Sequence, residues 1–152
     1  MDDETLMRRA IALAAGSAGG PFGAVVARGG EVLGEGSNAV VPGRDPTLHA
    51  EIVAIRAACA RLGTHDLSGA TLFTSCEPCP MCLGAAWWAR IGQIVYGNGH
   101  AEAAAIGFDD SAIYEEMRRP HEARRLPLRR LLAAEAWKGF ERWAARPDKR
   151  MY

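Results

Sequence analysis

The sequence predicts an α/β protein, a three-layer α/β/α sandwich around a five-stranded mixed sheet. Strand-like and helix-like segments alternate in the order β-β-α-β-α-β, and glycine or proline separates most of them. Helical connections between strands give parallel pairs, which we expect in the middle of the sheet. With 152 residues, of which 49% are apolar, we expect one domain spanning residues 1–152.

Periodicity and turn residues predict the individual elements. The first half contains a helix over residues 5–15, a hairpin of strands over residues 22–27 and 31–36, and a helix over residues 49–62 that Gly63 ends. The second half is predicted to contain, in order, a strand over 71–74, a helix from about 80 to 90, a strand over 93–96, a short helix over 101–105, a helix ending near 118, a last strand near 126–128 and a helix over 131–145.

Two short motifs carry the chemistry of the chain. His49-Ala50-Glu51 has the pattern H-x-E, and Pro78-Cys79-Pro80-Met81-Cys82 has the pattern P-C-x-x-C. Together they form the signature of zinc deaminases that act on nucleobases. One imidazole and two thiolates suit zinc, and three protein ligands leave the fourth position to water, as in catalytic sites. Glu51 is then free to act as acid and base on that water.

The spacing predicts where these motifs lie. Residues three apart share a helix face, so Cys79 and Cys82 can bind one ion at the start of a helix that begins near Pro80. The helix dipole lowers the pKa of thiols there. His49 and Glu51 are two residues apart and cannot share a face in mid-helix, which places them in the opening turn of the preceding helix. Two helix N-termini are therefore expected to converge on one zinc ion.

A structural metal site is the alternative interpretation of the thiols. Cys76, Cys79 and Cys82 could belong to a structural zinc or iron–sulfur site, which needs a fourth ligand. Cys59 is the only other thiol, and it falls on the apolar face of its predicted helix, as a buried core cysteine would. The catalytic interpretation is therefore favoured.

The charge of the chain favours a small, weakly charged substrate. Its 18 Lys and Arg residues equal its 18 Asp and Glu residues, whereas proteins that bind a phosphate backbone carry a basic excess. We therefore expect no nucleic-acid partner, and no apolar run is long enough to predict a membrane span. The acidic first residues and the clustered cysteines lead us to expect a cytoplasmic protein.

Several stretches resemble the bacterial guanine deaminases of the cytidine deaminase-like superfamily. Besides the two motifs, the resemblance rests on residues 19–26, 45–47, 74–85, 88–90 and 107–111. It implies a cytidine deaminase-like fold and zinc-dependent hydrolysis of guanine to xanthine and ammonia.

The resemblance also implies a homodimer in which a C-terminal helix and tail, residues 131–152, are swapped and close the partner's active site. In the sequence, Trp137, Phe140 and Trp143 form an apolar stripe at helical spacing. A helix that packs on its own core has the same pattern, so docking within one chain and swapping both remain open.

Five residues are candidates for the substrate site. The resemblance gives Asp110 the role of a carboxylate that holds the substrate and shuttles protons, although Asp110 could instead cap the helix that follows it. Asn38 could offer its amide to a purine or serve a turn. Phe22 and Trp88 could sandwich a flat ring, whereas an isolated aromatic residue is more often part of the core. Tyr152 is implied by the resemblance alone.

Other functions share parts of this pattern. A tRNA adenosine deaminase has the same zinc motifs but needs a basic groove for the anticodon stem. Deaminases of cytosine, an aminotriazine, a pterin or guanosine differ through few pocket contacts. A non-catalytic zinc-binding module would not need a free carboxylate at Glu51. The motifs therefore favour an enzyme, and the resemblance favours guanine as its substrate.

Overall fold

The computed structural model describes residues 1–152. Its elements are α1 (Asp3–Ala15), β1 (Gly23–Arg28), β2 (Glu31–Ser37), α2 (Val40–Gly43), α3 (Ala50–Leu62), β3 (Thr71–Cys76), α4 (Pro80–Trp88), β4 (Gln93–Asn98), α5 (His100–Ala105), α6 (Ser111–Arg118) and α7 (Ala133–Ala144), with a 3₁₀ turn over His121–Ala123. Every helix and strand predicted before residue 100 is present, and its ends shift by about two residues at most.

The sheet has four strands in the order β2-β1-β3-β4. β1 is antiparallel to both of its neighbours, and β3 with β4 forms the parallel pair, at the edge of the sheet. The expected parallel pairs in the middle of the sheet were wrong. The connection through α3 joins two strands of the same direction, β2 and β3, but β1 lies between them.

Helices cover both faces of the sheet, as the three-layer prediction requires. On one face Leu6 of α1 packs with Phe73 of β3. On the other face Ala54 of α3 and Ala86 of α4 pack with Leu72 of β3. Successive residues of β3 therefore point to opposite helical layers, as the twofold period of a strand dictates.

Two glycines of β2 let α3 lie directly on the sheet. A Cβ atom at Gly34 would be 2.4 Å from the carbonyl oxygen of Ala54, and one at Gly36 would be 2.3 Å from that of Ala50. No side chain fits there, so the helix backbone contacts the strand backbone. This contact fixes the position of the first turn of α3, which carries the H-x-E motif, above the sheet.

The predicted fifth strand does not form. Residues 126–128 have no regular structure and belong to no sheet, and Leu126 is 78% exposed. Pro127 has no N–H group and cannot donate to a strand ladder, which explains why alternating leucines were not enough. The sheet is therefore four-stranded and mixed.

The chain divides into two compact units, Met1–Ser111 and Ala112–Tyr152. The first unit contains the whole sheet and helices α1 to α5. Within the second unit, the Arg125 backbone N–H donates to the Glu116 carboxylate at 2.7 Å, which ties the segment after the 3₁₀ turn to α6. None of the helices combines the length and apolar character needed to cross a membrane.

Candidate active site

The first turns of α3 and α4 bring the predicted metal ligands together. His49 is the N-cap of α3 and Cys79 is the N-cap of α4, where Pro80 occupies the first helical position. Cys82 follows within that turn. His49 Nδ1 lies 3.6 Å from Cys79 Sγ and 3.5 Å from Cys82 Sγ, and all three ligand atoms lie within 4.8 Å of one another.

These distances fit a zinc ion. In a tetrahedral site with bonds of about 2.3 Å to sulfur and about 2.0 Å to nitrogen, a nitrogen ligand and a sulfur ligand lie roughly 3.5 Å apart. His49 Nδ1 has this separation from both thiols. Cys76 and Cys59 are not members of the group. The donor set is therefore that of a three-ligand zinc site, with a fourth position left for water or substrate.

The two ligand thiols change each other's pKa. The pKa of Cys79 is lowered to about 4, chiefly because Cys82 donates a hydrogen bond to its sulfur and further because His49 does so. The same hydrogen bond, together with burial, raises the pKa of Cys82. The pKa of His49 is raised mainly by its hydrogen bond with Cys79. Zinc requires both thiolates, so metal binding must displace the proton that Cys82 holds.

Glu51 places a buried carboxylate beside this ligand set. It lies in the first turn of α3 and is 6% exposed. Its Oε2 atom is 3.5 Å from Cys82 Sγ, and its Oε1 atom accepts a hydrogen bond from the Thr74 hydroxyl at 3.2 Å. Burial raises the pKa of Glu51, and a cation among the ligands would oppose that shift. The carboxylate can thus reach a water in the fourth zinc position.

The two adjacent aspartates before α6 have different roles. The Asp109 carboxylate accepts the Ser111 backbone N–H at 2.9 Å, and its hydrogen bonds with Ser111 lower the pKa of Asp109. Asp110 Oδ1 lies 3.2 Å from His100 Nδ1 instead. The pKa of Cys76 is raised to about 11, mainly by burial and further by nearby charges that include Asp110. Asp109 therefore accepts the first backbone N–H of α6, and Asp110 lies close to the end of β3.

Three side chains converge at the start of β1. A Cβ atom at Gly20 would lie 3.5 Å from Phe22, 3.6 Å from Asn38 and 3.7 Å from Phe108. The Phe22 and Phe108 rings meet edge to face at 4.9 Å. Asn38 is 7% exposed, and its Oδ1 atom accepts the Val40 N–H at 3.1 Å. This is the hydrogen bond of an asparagine that stabilises a turn. The Asn38 amide N–H groups remain available to a ligand.

Two candidates lie outside the helix turns that carry the ligands. Trp88 is the last residue of α4, six residues after Cys82, or about 9 Å along the helix axis, and it is 62% exposed. Tyr152 belongs to the second unit and is 71% exposed. Their substrate roles stay predictions.

Sequence reasoning missed several residues beside the candidates. Thr74 contacts Glu51, Phe108 contacts Phe22, and His100 joins Asp110 to Glu77, whose Oε1 atom lies 3.4 Å from His100 Nε2. Strand alternation could have found Thr74, since it shares a face of β3 with a core leucine. No sequence signal marks the other contacts, which depend on how distant segments meet.

Comparisons with known proteins agree with this site. Residues 1–98 match the family model of the cytidine and deoxycytidylate deaminase zinc-binding region. A guanine deaminase of Bacillus subtilis (strain 168) is 45% identical over 156 residues, which cover 100% of both chains. The X-ray structure of guanine deaminase from Bacillus subtilis has a TM-score of 0.95 at 46% identity, covering 100% of this chain and 99% of that chain. A tRNA-specific adenosine deaminase of Haemophilus influenzae is 39% identical over 117 residues, covering 71% of this chain and 68% of that protein.

The fold and the ligand set are those of a zinc-dependent aminohydrolase. This chain belongs to the cytidine and deoxycytidylate deaminase zinc-binding family, whose model covers both motifs. The guanine deaminase match extends over the whole chain, whereas the tRNA deaminase match covers a part of it.

The chain offers a matched pair of cysteines to test the ligand set. We expect Cys79→Ser to lose zinc, with an affinity loss beyond the roughly 10- to 100-fold that loss of a supporting partner costs. Cys76→Ser should retain one zinc per chain, because Cys76 is buried outside the ligand group. Metal content after dialysis, measured by mass spectrometry, checks both. Zinc loss in Cys76→Ser with retention in Cys79→Ser would contradict this assignment.

Proposed function

We propose that this protein hydrolyses guanine to xanthine and ammonia. The observation that carries the proposal is the buried Glu51 carboxylate, which touches Cys82 within the His49, Cys79 and Cys82 ligand set. A purely structural zinc site has no need of a carboxylate there, whereas hydrolytic deamination needs an acid and base at this position. Guanine is preferred as the substrate because the guanine deaminase relative matches the full chain.

In the proposed reaction, carboxylates of this chain transfer the protons. When bound by His49, Cys79 and Cys82, zinc supplies Lewis acidity that brings the pKa of a water to about 7. Glu51 accepts a proton from the attacking water as the water oxygen adds to the carbon that bears the exocyclic amine, and it delivers this proton to the neighbouring ring nitrogen. The second water proton passes from the new hydroxyl, through Glu51 and with help from Asp110, to the amine. The carbon–nitrogen bond then breaks, and the hydroxyl becomes the carbonyl of xanthine. Water and guanine enter, and xanthine and ammonia leave.

Asp110 is the second carboxylate of the proposed mechanism. It would hold the substrate and help protonate the departing amine. Support comes from the different contacts of the two aspartates: Asp109 accepts the Ser111 backbone N–H, whereas Asp110 contacts His100. His100 contacts Asp110 and keeps the carboxylate in a fixed orientation.

The substrate pocket is proposed from the convergence of aromatic and amide groups. Phe22, packed edge-on against Phe108, would hold one face of the purine, with Trp88 on its other face. The amide N–H groups of Asn38 would donate to the purine edge, because its Oδ1 atom is occupied by the Val40 N–H. Tyr152 would complete the pocket.

We also propose a homodimer in which residues 131–152 are exchanged between two single-domain protomers. The support is the apolar face of α7, on which Trp137 is 58%, Phe140 70% and Trp143 40% exposed. Exposed apolar residues at such density usually mark an interface. A cytoplasmic location fits the proposal, since ligand thiols must stay reduced to bind metal.

Turnover by the zinc-loaded protein tests the function. Ammonia release should be well above background with guanine and much lower with adenine, cytosine, guanosine, an aminotriazine and a transfer RNA. Glu51→Gln should keep its zinc and lose about 100- to 10,000-fold in kcat, because the acid and base is gone. Activity confined to transfer RNA would refute the guanine proposal, and near-normal turnover by Glu51→Gln would refute the role of the carboxylate.

The neighbouring aspartates provide a matched test of the second carboxylate. Asp110→Asn should lower kcat about 100-fold or more, since it removes a proton donor from the site. Asp109→Asn should cost no more than about 1 kcal/mol of stability, because an asparagine oxygen can also accept the Ser111 N–H, and it should leave kcat unchanged. Steady-state kinetics and thermal unfolding compare the two variants. Equal kcat values for both would remove Asp110 from the mechanism.

Complementation tests the exchanged segment. Glu51→Gln and Tyr152→Ala should each be nearly inactive, and co-refolding the two variants should restore activity, because one mixed site receives an intact Glu51 and an intact partner Tyr152. Sedimentation should show a dimer of two 16.3 kDa chains. Dimers that regain no activity on mixing would contradict the exchange, and a monomeric wild type would contradict the dimer itself.

A further inference from the structure

Thr74 is a polar residue in the core of the sheet, and its hydroxyl reaches the proposed acid and base. It is 1% exposed, on the α3 side of β3, where the strand alternation also puts Leu72. Its Oγ1 atom lies 3.2 Å from Glu51 Oε1 and 3.0 Å from the carbonyl oxygen of Cys76. A hydroxyl that belongs to neither motif thus lies between Glu51 of the H-x-E motif and Cys76, two residues before the P-C-x-x-C motif.

A hydroxyl suits the space between a carboxylate and a carbonyl oxygen. A threonine hydroxyl has one hydrogen, which it can donate to one of these two acceptors. Thr74 donates it to the Oε1 atom of the Glu51 carboxylate at 3.2 Å. Because Glu51 is buried, this partner removes the cost of an unpaired Oε1 atom.

The same contact sets the orientation of the carboxylate. Because Oε1 is held by Thr74, the carboxylate plane is fixed, and Oε2 is the atom directed to the ligand set, 3.5 Å from Cys82 Sγ. An unheld carboxylate could rotate about its last torsion, which is broad for glutamate. A fixed orientation keeps the carboxylate close to the geometry that proton transfer needs.

We infer that Thr74 is a positioning residue for Glu51: its hydroxyl holds one carboxylate oxygen and directs the other to the reacting water. The inference rests on the proposed deaminase function. A valine would fill nearly the same volume, so packing of the sheet does not require the hydroxyl. Buried polar groups in a strand core are costly, and this one is matched by the two acceptors that surround it.

Four variants test the inference. Thr74→Val should lower kcat about 10- to 100-fold, the range of a hydrogen bond to a charged group, while KM changes less than about threefold and zinc content stays at the wild-type value. Thr74→Ser should restore kcat to within a few-fold of the wild type. Thr71→Val, the same change on the same strand without a contact to Glu51, should match the wild type. Should Thr74→Val not fold, Thr74→Ala against Thr74→Ser makes the same comparison.

A spectroscopic measurement separates this inference from the choice of substrate. The carboxyl carbon signal of Glu51 in ¹³C-glutamate-labelled, zinc-loaded protein, assigned by its loss in Glu51→Gln, should shift in Thr74→Val and not in Thr71→Val. This holds even if guanine is not the substrate, in which case kinetics use whichever amino-heterocycle is turned over. Wild-type kcat together with an unchanged Glu51 signal in Thr74→Val would overturn the inference. A failure of Thr74→Ser to restore kcat would overturn it too, since the hydroxyl would not be the group that matters.

Discussion

The constraint on which the site depends is the meeting of two helix N-termini at one point beside the sheet. His49 and Cys79 are both N-cap residues, so each ligand belongs to the fixed first turn of a helix rather than to a loose loop. The positive ends of both helix dipoles face the thiols, which favours thiolates. A metal held there links α3 to α4 directly, and we expect it to stabilise the fold as well as the reaction.

The sheet fixes the positions of the groups that meet at these helix N-termini. Gly34 and Gly36 allow α3 to contact the β2 backbone, which fixes the position of its first turn. β3 carries the Thr74 hydroxyl on its α3 side and leads directly to the thiol motif. Glu51 is therefore fixed by its own helix, by a strand hydroxyl and by the ligand set. Catalytic groups on packed helices and strands hold their geometry better than groups on loops.

The sequence was sufficient for what depends on local chemistry. The alternation of elements, the N-terminal positions of both motifs and the three ligands follow from periodicity and from the coordination preferences of zinc, and the structure places these side chains together. Features that depend on contacts between distant segments were harder to predict from the sequence. The predicted fifth strand does not form because Pro127 cannot donate to a strand ladder. β2 and β3 do not pair in parallel because β1 lies between them, whereas β3 and β4 do form a parallel pair. The contact of His100 with Asp110 has no signature in either segment.

The candidate site residues fall into a part that the family model covers and a part beyond it. The family model covers residues 1–98 and therefore includes the three metal-ligand candidates and Glu51, which are proposed to supply the hydrolytic chemistry. Phe108 and Asp110 lie beyond it, and Tyr152 is further still. Hydrolysis by zinc and a carboxylate requires nothing specific of the purine, whereas discrimination between bases depends on the contacts that surround the ring. Substrate choice in this chain is therefore expected to change through the residues proposed to contact the ring, with the chemistry left intact. These residues are Phe22, Asn38 and Trp88 within the family model and Asp110 and Tyr152 beyond it.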